Sequence, residues 1–152
     1  MKIAVGCDHA GYPLKEAILR ALKKMNHTAL DCGSFNSDSV DYPLIAADVA
    51  RAVSGRRAAK GVLLCGTGIG VSMAANRFPG VLAAVVWSAE IARMASEHNH
   101  ANVLCLPCRF LSLPRALACL RAWLGTRPAG GRHLRRVRQI LRLDGRKGTK
   151  KS

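Results

Sequence analysis

Apolar residues along the chain fall into short runs, and between them the spacing changes to a helical one. Lys2–Gly6 is an apolar run after one lysine and reads as a buried strand. From Pro13 to Met25 the apolar positions Leu14, Ala17, Ile18, Ala21 and Leu22 recur three and four apart, the stripe of an amphipathic helix. Thr28–Asp31 reads as a second short strand. Asp41-Tyr42-Pro43 opens the next helix, with Asp41 as its N-cap and Pro43 in the first turn, and this helix runs to about Val53.

The alternation continues to the end of the chain. Gly61–Leu64 is the third strand and Ile69–Asn76 the third helix. Val81–Val86 is an almost wholly apolar fourth strand, and Ser88 is placed to cap a helix reaching about His98. Asn102–Leu106 is the fifth strand and Leu113–Leu124 the fifth helix. Gly130-Gly131 breaks the chain before a last helix over about Arg132–Leu143. Five buried strands alternating with helices imply an α/β domain, a parallel sheet with helices on both faces. One domain over residues 1–143 is expected, followed by a basic, disordered tail over 144–152.

Composition narrows the class. Of the 152 residues 49% are hydrophobic, enough for a three-layer domain, but only 5% are aromatic, so Ala, Val, Leu and Ile must build the core. No apolar run approaches the roughly 20 residues of a membrane span, and the first apolar run is too short for a secretory signal. A cytoplasmic protein is expected. Its six cysteines then read as reduced thiols rather than disulfide staples.

The formal charge of +15 is concentrated late: from Thr126 onward ten Lys or Arg face the single Asp144. Such a segment can meet nucleic acid, a membrane surface or phosphorylated substrates, or can simply be a solvated helix with a frayed end. Neither nucleic acid nor membrane is taken as the expected partner.

In a parallel sheet, ligands bind beyond the carboxyl ends of the strands. The residues there are Cys7-Asp8-His9, Cys65-Gly66-Thr67-Gly68, Trp87-Ser88 and Pro107-Cys108-Arg109. His9 and His98 are both expected on this edge. Cys65 precedes Gly66-Thr67-Gly68-Ile69-Gly70 and a helix. The positive end of that helix would lower the thiol's pKa towards neutrality, and the glycines would let backbone amides form an anion nest. A thiolate beside a nest can take a proton from carbon next to a carbonyl. The same spacing also suits a buried cysteine beside a tight turn. Arg132 and Arg136, one helical turn apart, suit either a phosphate clamp or a solvated surface.

Two other chemistries fit poorly. A dinucleotide loop needs a third glycine where Val71 stands and an acidic residue after the next strand, where Val86-Trp87-Ser88 stands. Cys105-Leu106-Pro107-Cys108 lacks the helix that a redox CxxC requires, and it has no nearby partners for zinc. No cofactor and no metal are expected.

Together, Gly6-Cys7-Asp8-His9-Ala10-Gly11, Asp41-Tyr42-Pro43, Gly66-Thr67-Gly68-Ile69-Gly70 with Ala74-Ala75-Asn76-Arg77, His98-Asn99 with Ala101-Asn102-Val103-Leu104, and Gly131-Arg132-His133 with Arg136 resemble the ribose-5-phosphate and galactose-6-phosphate isomerase family from Lys2 to about Leu143. The resemblance implies an α/β/α sandwich of strand order 2-1-3-5-4. It implies interconversion of ribose 5-phosphate and ribulose 5-phosphate through a cis-enediol. Cys65 matches the proton acceptor of the family's cysteine branch; the other branch has a glutamate where Val71 stands. His98 matches the ring-opening proton donor, and Asp8 a residue on the sugar hydroxyls. Gly66, Thr67, Gly68, Ile69 and Gly70 match the loop around the carbonyl end, with Thr67 on a reacting oxygen. His9, Arg132 and Arg136 match phosphate ligands, and Asn99 and Arg109 further substrate contacts. The resemblance also implies a homodimer with shared sites, some members being tetramers. Pro107-Cys108 departs from the small residues usual before Arg109. The alternatives are a six-carbon substrate, allose or galactose 6-phosphate, and, more remotely, a basic nucleic-acid-binding protein on an inactive isomerase fold.

Overall fold

The computed structural model describes residues 1–36 and 38–143, so the basic tail expected over 144–152 lies outside the described residues. The elements run β1 (Lys2–Cys7), α1 (Tyr12–Lys24), β2 (Thr28–Asp31), α2 (Tyr42–Ser54), β3 (Lys60–Cys65), α3 (Ile69–Ala75), β4 (Ala83–Val85), α4 (Ala89–Glu97), β5 (Val103–Pro107), α5 (Leu113–Gly125) and α6 (Gly131–Leu143). The five strands form one parallel sheet in the order β2-β1-β3-β5-β4.

Side chains alternate across the sheet and supply two cores. On one face Ile3, Val5, Val62, Leu64, Leu104 and Leu106 meet Ile18 and Leu22 of α1, Ala92 and Ala95 of α4, and Ala116, Leu120 and Trp123 of α5. On the other, Ala4, Leu63, Val103 and Cys105 meet Val49 and Val53 of α2 and Val71 and Ala75 of α3. The central strands are thus covered on both sides, giving the α/β/α sandwich. Trp123 is fully buried; its indole N–H donates to Ala101 O at 2.8 Å and Lys60 Nζ sits 4.2 Å from the ring centre. Truncating such a side chain costs about 3–5 kcal/mol. Among the described residues no helix is long and apolar enough to cross a membrane.

Two local expectations are corrected. The fourth strand is three residues, not Val81–Val86. Two asparagines bond to the backbone here. Asn102 accepts from Leu82 N and donates to Gly80 O, both at 2.8 Å. Asn76 accepts from Ala83 N at 2.8 Å and donates to Ala83 O at 2.9 Å, occupying the strand's outer edge as a neighbouring strand would. Asp41 does stand at the start of α2, but its side chain makes no capping bond; its backbone carbonyl accepts from Leu44 N. Ser88 caps α4 through its hydroxyl, which accepts from Ile91 N at 3.2 Å.

Candidate active site

Because β1, β3 and β5 are neighbours, the segments that leave their carboxyl ends converge. Asp8 N donates to Leu64 O at 3.0 Å, and the buried Asp8 carboxylate accepts from Gly11 N at 2.9 Å. Cys65 pairs in register with Pro107. Cys108 N then donates to Cys65 O at 2.8 Å, and Arg109 N to Gly66 O at 3.1 Å. Pro107 therefore ends β5 without displacing Arg109 from the site. The Arg109 side chain crosses directly over Gly66: a Cβ there would stand 3.2 Å from its Nε. Gly68 has φ +72, the left-handed conformation that turns the chain into α3. Thr67 is exposed, its hydroxyl accepting from Ile69 N at 3.3 Å, and Gly70 lies against the ring of Tyr42. His9 belongs to the same edge; its Nδ1 is buried with no hydrogen-bond partner among the described residues.

The expectation of a Cys65 pKa falling to neutrality is corrected. Burial pushes the thiol up, and a hydrogen bond to the Asp8 carboxylate adds to it, as does the Asp8 charge. The backbone N–H groups of Gly68 and Thr67, directed at the sulfur, pull the other way but do not prevail. The nest read from the glycines is thus present at the sulfur, and burial together with the Asp8 carboxylate outweighs it.

The second correction concerns His98. It is the C-cap of α4. A helix returning from a strand's carboxyl end finishes at the amino edge of a parallel sheet, so His98, Asn99 and His100 adjoin the starts of β4 and β5. Asn99 shares a groove with Leu82, Ala83, Ala101 and Ile140. Cys65 ends β3, and the length of that strand, about 16 Å at a rise of about 3.3 Å per residue, separates the two edges.

At the amino edge His98 stacks on His133, with ring centres 4.2 Å apart and planes 9° apart. His98 Nε2 is 3.9 Å from the Glu97 carboxylate, which Arg93 also holds. Arg132 and Arg136 flank His133 on α6, exposed and without a carboxylate partner among the described residues. The fold therefore gathers Asp8, His9, Cys65, Gly66, Thr67, Gly68, Ile69, Gly70 and Arg109 at one edge. His98, Asn99, Arg132 and Arg136 gather at the other.

Sequence reasoning gave His133 no role and did not foresee Tyr42 against Gly70. His133's place between two arginines on a helix was the available signal; for Tyr42 it was the Asp41-Tyr42-Pro43 stretch, which reads only as a helix start and a part of the resemblance. All six cysteines are free, and Cys105 is fully buried.

Residues 3–140 match the ribose/galactose isomerase family. The chain is 41% identical over 146 residues to the ribose-5-phosphate isomerase B of Escherichia coli K12, covering 96% of this chain and 98% of that protein. Its fold is similar to the ribose-5-phosphate isomerase B structure of Clostridium thermocellum, with TM-score 0.95, 42% identity, and 97% and 100% of the two chains covered. It is also similar to the Mycoplasma genitalium ribose-5-phosphate isomerase B structure with bound ribulose-5-phosphate, with TM-score 0.93, 39% identity, and 96% and 97% covered.

Proposed function

The chain belongs to the ribose/galactose isomerase family, and on that premise we propose that it interconverts ribose 5-phosphate and ribulose 5-phosphate with Cys65 as the base. The observation that supports this most is the Cys65 sulfur at the end of β3, facing two loop amides and one buried carboxylate.

In this reading the resting thiol is held neutral by its burial and by Asp8. Sugar hydroxyls that bind Asp8 compete for its lone pairs and release the thiol, so the amides of Thr67 and Gly68 then favour the thiolate. The thiolate takes the proton from C2 of the open-chain aldose. O1 gains a proton as the cis-enediol forms, O2 later loses one, and Cys65 returns its proton to C1. Thr67 and the loop through Ile69 and Gly70 bind the oxygens that carry the developing charge. His98 opens the furanose ring. Arg132, Arg136 and His9 hold the phosphate, with Arg109 and Asn99 on the rest of the substrate, so remote binding energy orients the reacting carbons.

Cys65 and His98 of one protomer stand too far apart to serve one sugar. The working unit in this reading is a homodimer, each site joining the carboxyl edge of one protomer to the amino edge of the other. The exposed apolar side chains Tyr42, Leu44, Ile69 and Met73, beside the Cys65 loop, suit the face that a second copy covers. The enzyme acts in the cytoplasm, where phosphorylated sugars are retained by their charge.

A coupled assay of wild type and Cys65→Ala on ribose 5-phosphate, allose 6-phosphate and galactose 6-phosphate tests the reading. Turnover is expected to be fastest on ribose 5-phosphate and to fall at least about a thousandfold in Cys65→Ala. Full activity in the variant would reject the base; preference for a six-carbon sugar would reject the substrate.

A further inference from the structure

The reaction as described uses His98 and leaves His133 without a task, although the two imidazoles lie face to face at 4.2 Å and within 9° of parallel. Few contacts would fix an imidazole so fully. Ring opening demands such a constraint, because a general acid must aim its N–H at one oxygen lone pair. α6 is fastened to the body through the buried Val137, on the same face of the helix as His133 and Ile140. The neighbouring turn is tied down as well: Ala129 N donates to Glu97 O, and His100 Nε2 lies 2.7 Å from Ala129 O.

Resting on the function proposed above, we propose that His133 is a positioning residue for ring opening: its imidazole, stacked on His98, fixes the plane of the ring that hands a proton to the furanose oxygen. In that step the bond between C1 and the ring oxygen breaks. The ring oxygen takes the proton from His98, and the C1 hydroxyl gives its own proton to water as the aldehyde forms.

The charges around the pair keep the proton off His133. Two imidazolium rings stacked this closely would repel. Glu97, itself paired with Arg93, faces His98 from α4. Contact with the body, then His98, Arg132 and Arg136 push the His133 pKa down, with Glu97 opposing. His133 is the neutral platform and His98 the acid.

The test separates ring opening from enolisation. Ribulose 5-phosphate has no free 5-hydroxyl and stays open-chain, so uptake of solvent deuterium at its C1 requires the base but no ring step. Conversion of ribose 5-phosphate requires both. His133→Ala should lower ribose 5-phosphate turnover about tenfold or more and leave initial deuterium uptake within about twofold of wild type. His133→Phe, which keeps a flat stacking partner, should recover most of the turnover. Equal loss of both reactions in His133→Ala would mark a merely structural role and overturn the inference, as would no loss of either. His98→Asn is the reference. If it slows both reactions alike, the ring-opening assignment of His98 falls and the inference with it. A selective loss in His98→Asn without one in His133→Ala overturns the inference alone.

Discussion

Cys65 and His98 occupy opposite edges of one parallel sheet, at the carboxyl end of β3 and the closing turn of α4. Complementation between subunits therefore distinguishes a shared site from a solitary one. Cys65→Ala and His98→Asn, each impaired alone, should regain about a quarter of wild-type activity when unfolded together and refolded, because half the dimers are mixed and each has one intact site. Separately refolded and unmixed samples give the baseline. No gain on mixing would disprove the shared arrangement.

Beyond burial, the Asp8 carboxylate raises the Cys65 pKa through a hydrogen bond and through its charge. Asp8→Asn should therefore shift the iodoacetamide alkylation profile of Cys65 to lower pH while isomerase activity falls. An unshifted profile would show that burial alone sets the thiol's ionisation.

Arg132 and Arg136 lie one turn apart on the flank of α6 that carries His133, whereas Arg135 and Arg138 lie off that stripe. Arg132→Ala and Arg136→Ala should each raise KM for the phosphorylated sugar about tenfold or more, with kcat little changed. Arg135→Ala should leave KM within about twofold. A uniform response of all three would mean that only the net charge of the helix matters.

Alkaline pH should unfold the protein through its buried thiols. Burial raises the pKa of Cys105 above the ordinary thiol value of 9.0, and Cys108 is pushed up to about 12. A thiol raised in the folded state holds a proton that the unfolded chain gives up. Its stabilisation is complete below 9.0 and drains away as pH climbs towards the folded value. Urea midpoints under reducing conditions should fall between about pH 8 and pH 10, and less steeply in Cys105→Ala. A midpoint independent of pH in wild type would contradict this.

The sequence was most legible where structure follows from local pattern. The stripe from Leu14 to Leu22 and the apolar run ending at Cys65 each specify an element, because burial of one face decides it. The carboxyl-edge residues could be located for the same reason, once the strands were known. Three features depended on partners distant in sequence. The strand expected over Val81–Val86 gives way at its start, where the side chain of Asn102 takes up Leu82 N and Gly80 O. The Cys65 pKa rises because the fold buries the thiol and sets Asp8, from the loop after β1, beside it. His98 stands at the far edge because the direction of a helix is a property of the sheet it returns across. A resemblance could name His98 as a proton donor without revealing that it stands at the opposite edge of the sheet from Cys65.

The side-chain amide of Asn76 has a consequence for assembly. A homodimer of the kind proposed above must be adhesive somewhere, and an open β4 would invite a strand from any passing molecule, with no geometry to stop the addition. By satisfying both backbone groups of Ala83, Asn76 blocks strand addition at that residue. The proposed homodimer would then pair through the apolar side chains around α3, where the pairing can be finite.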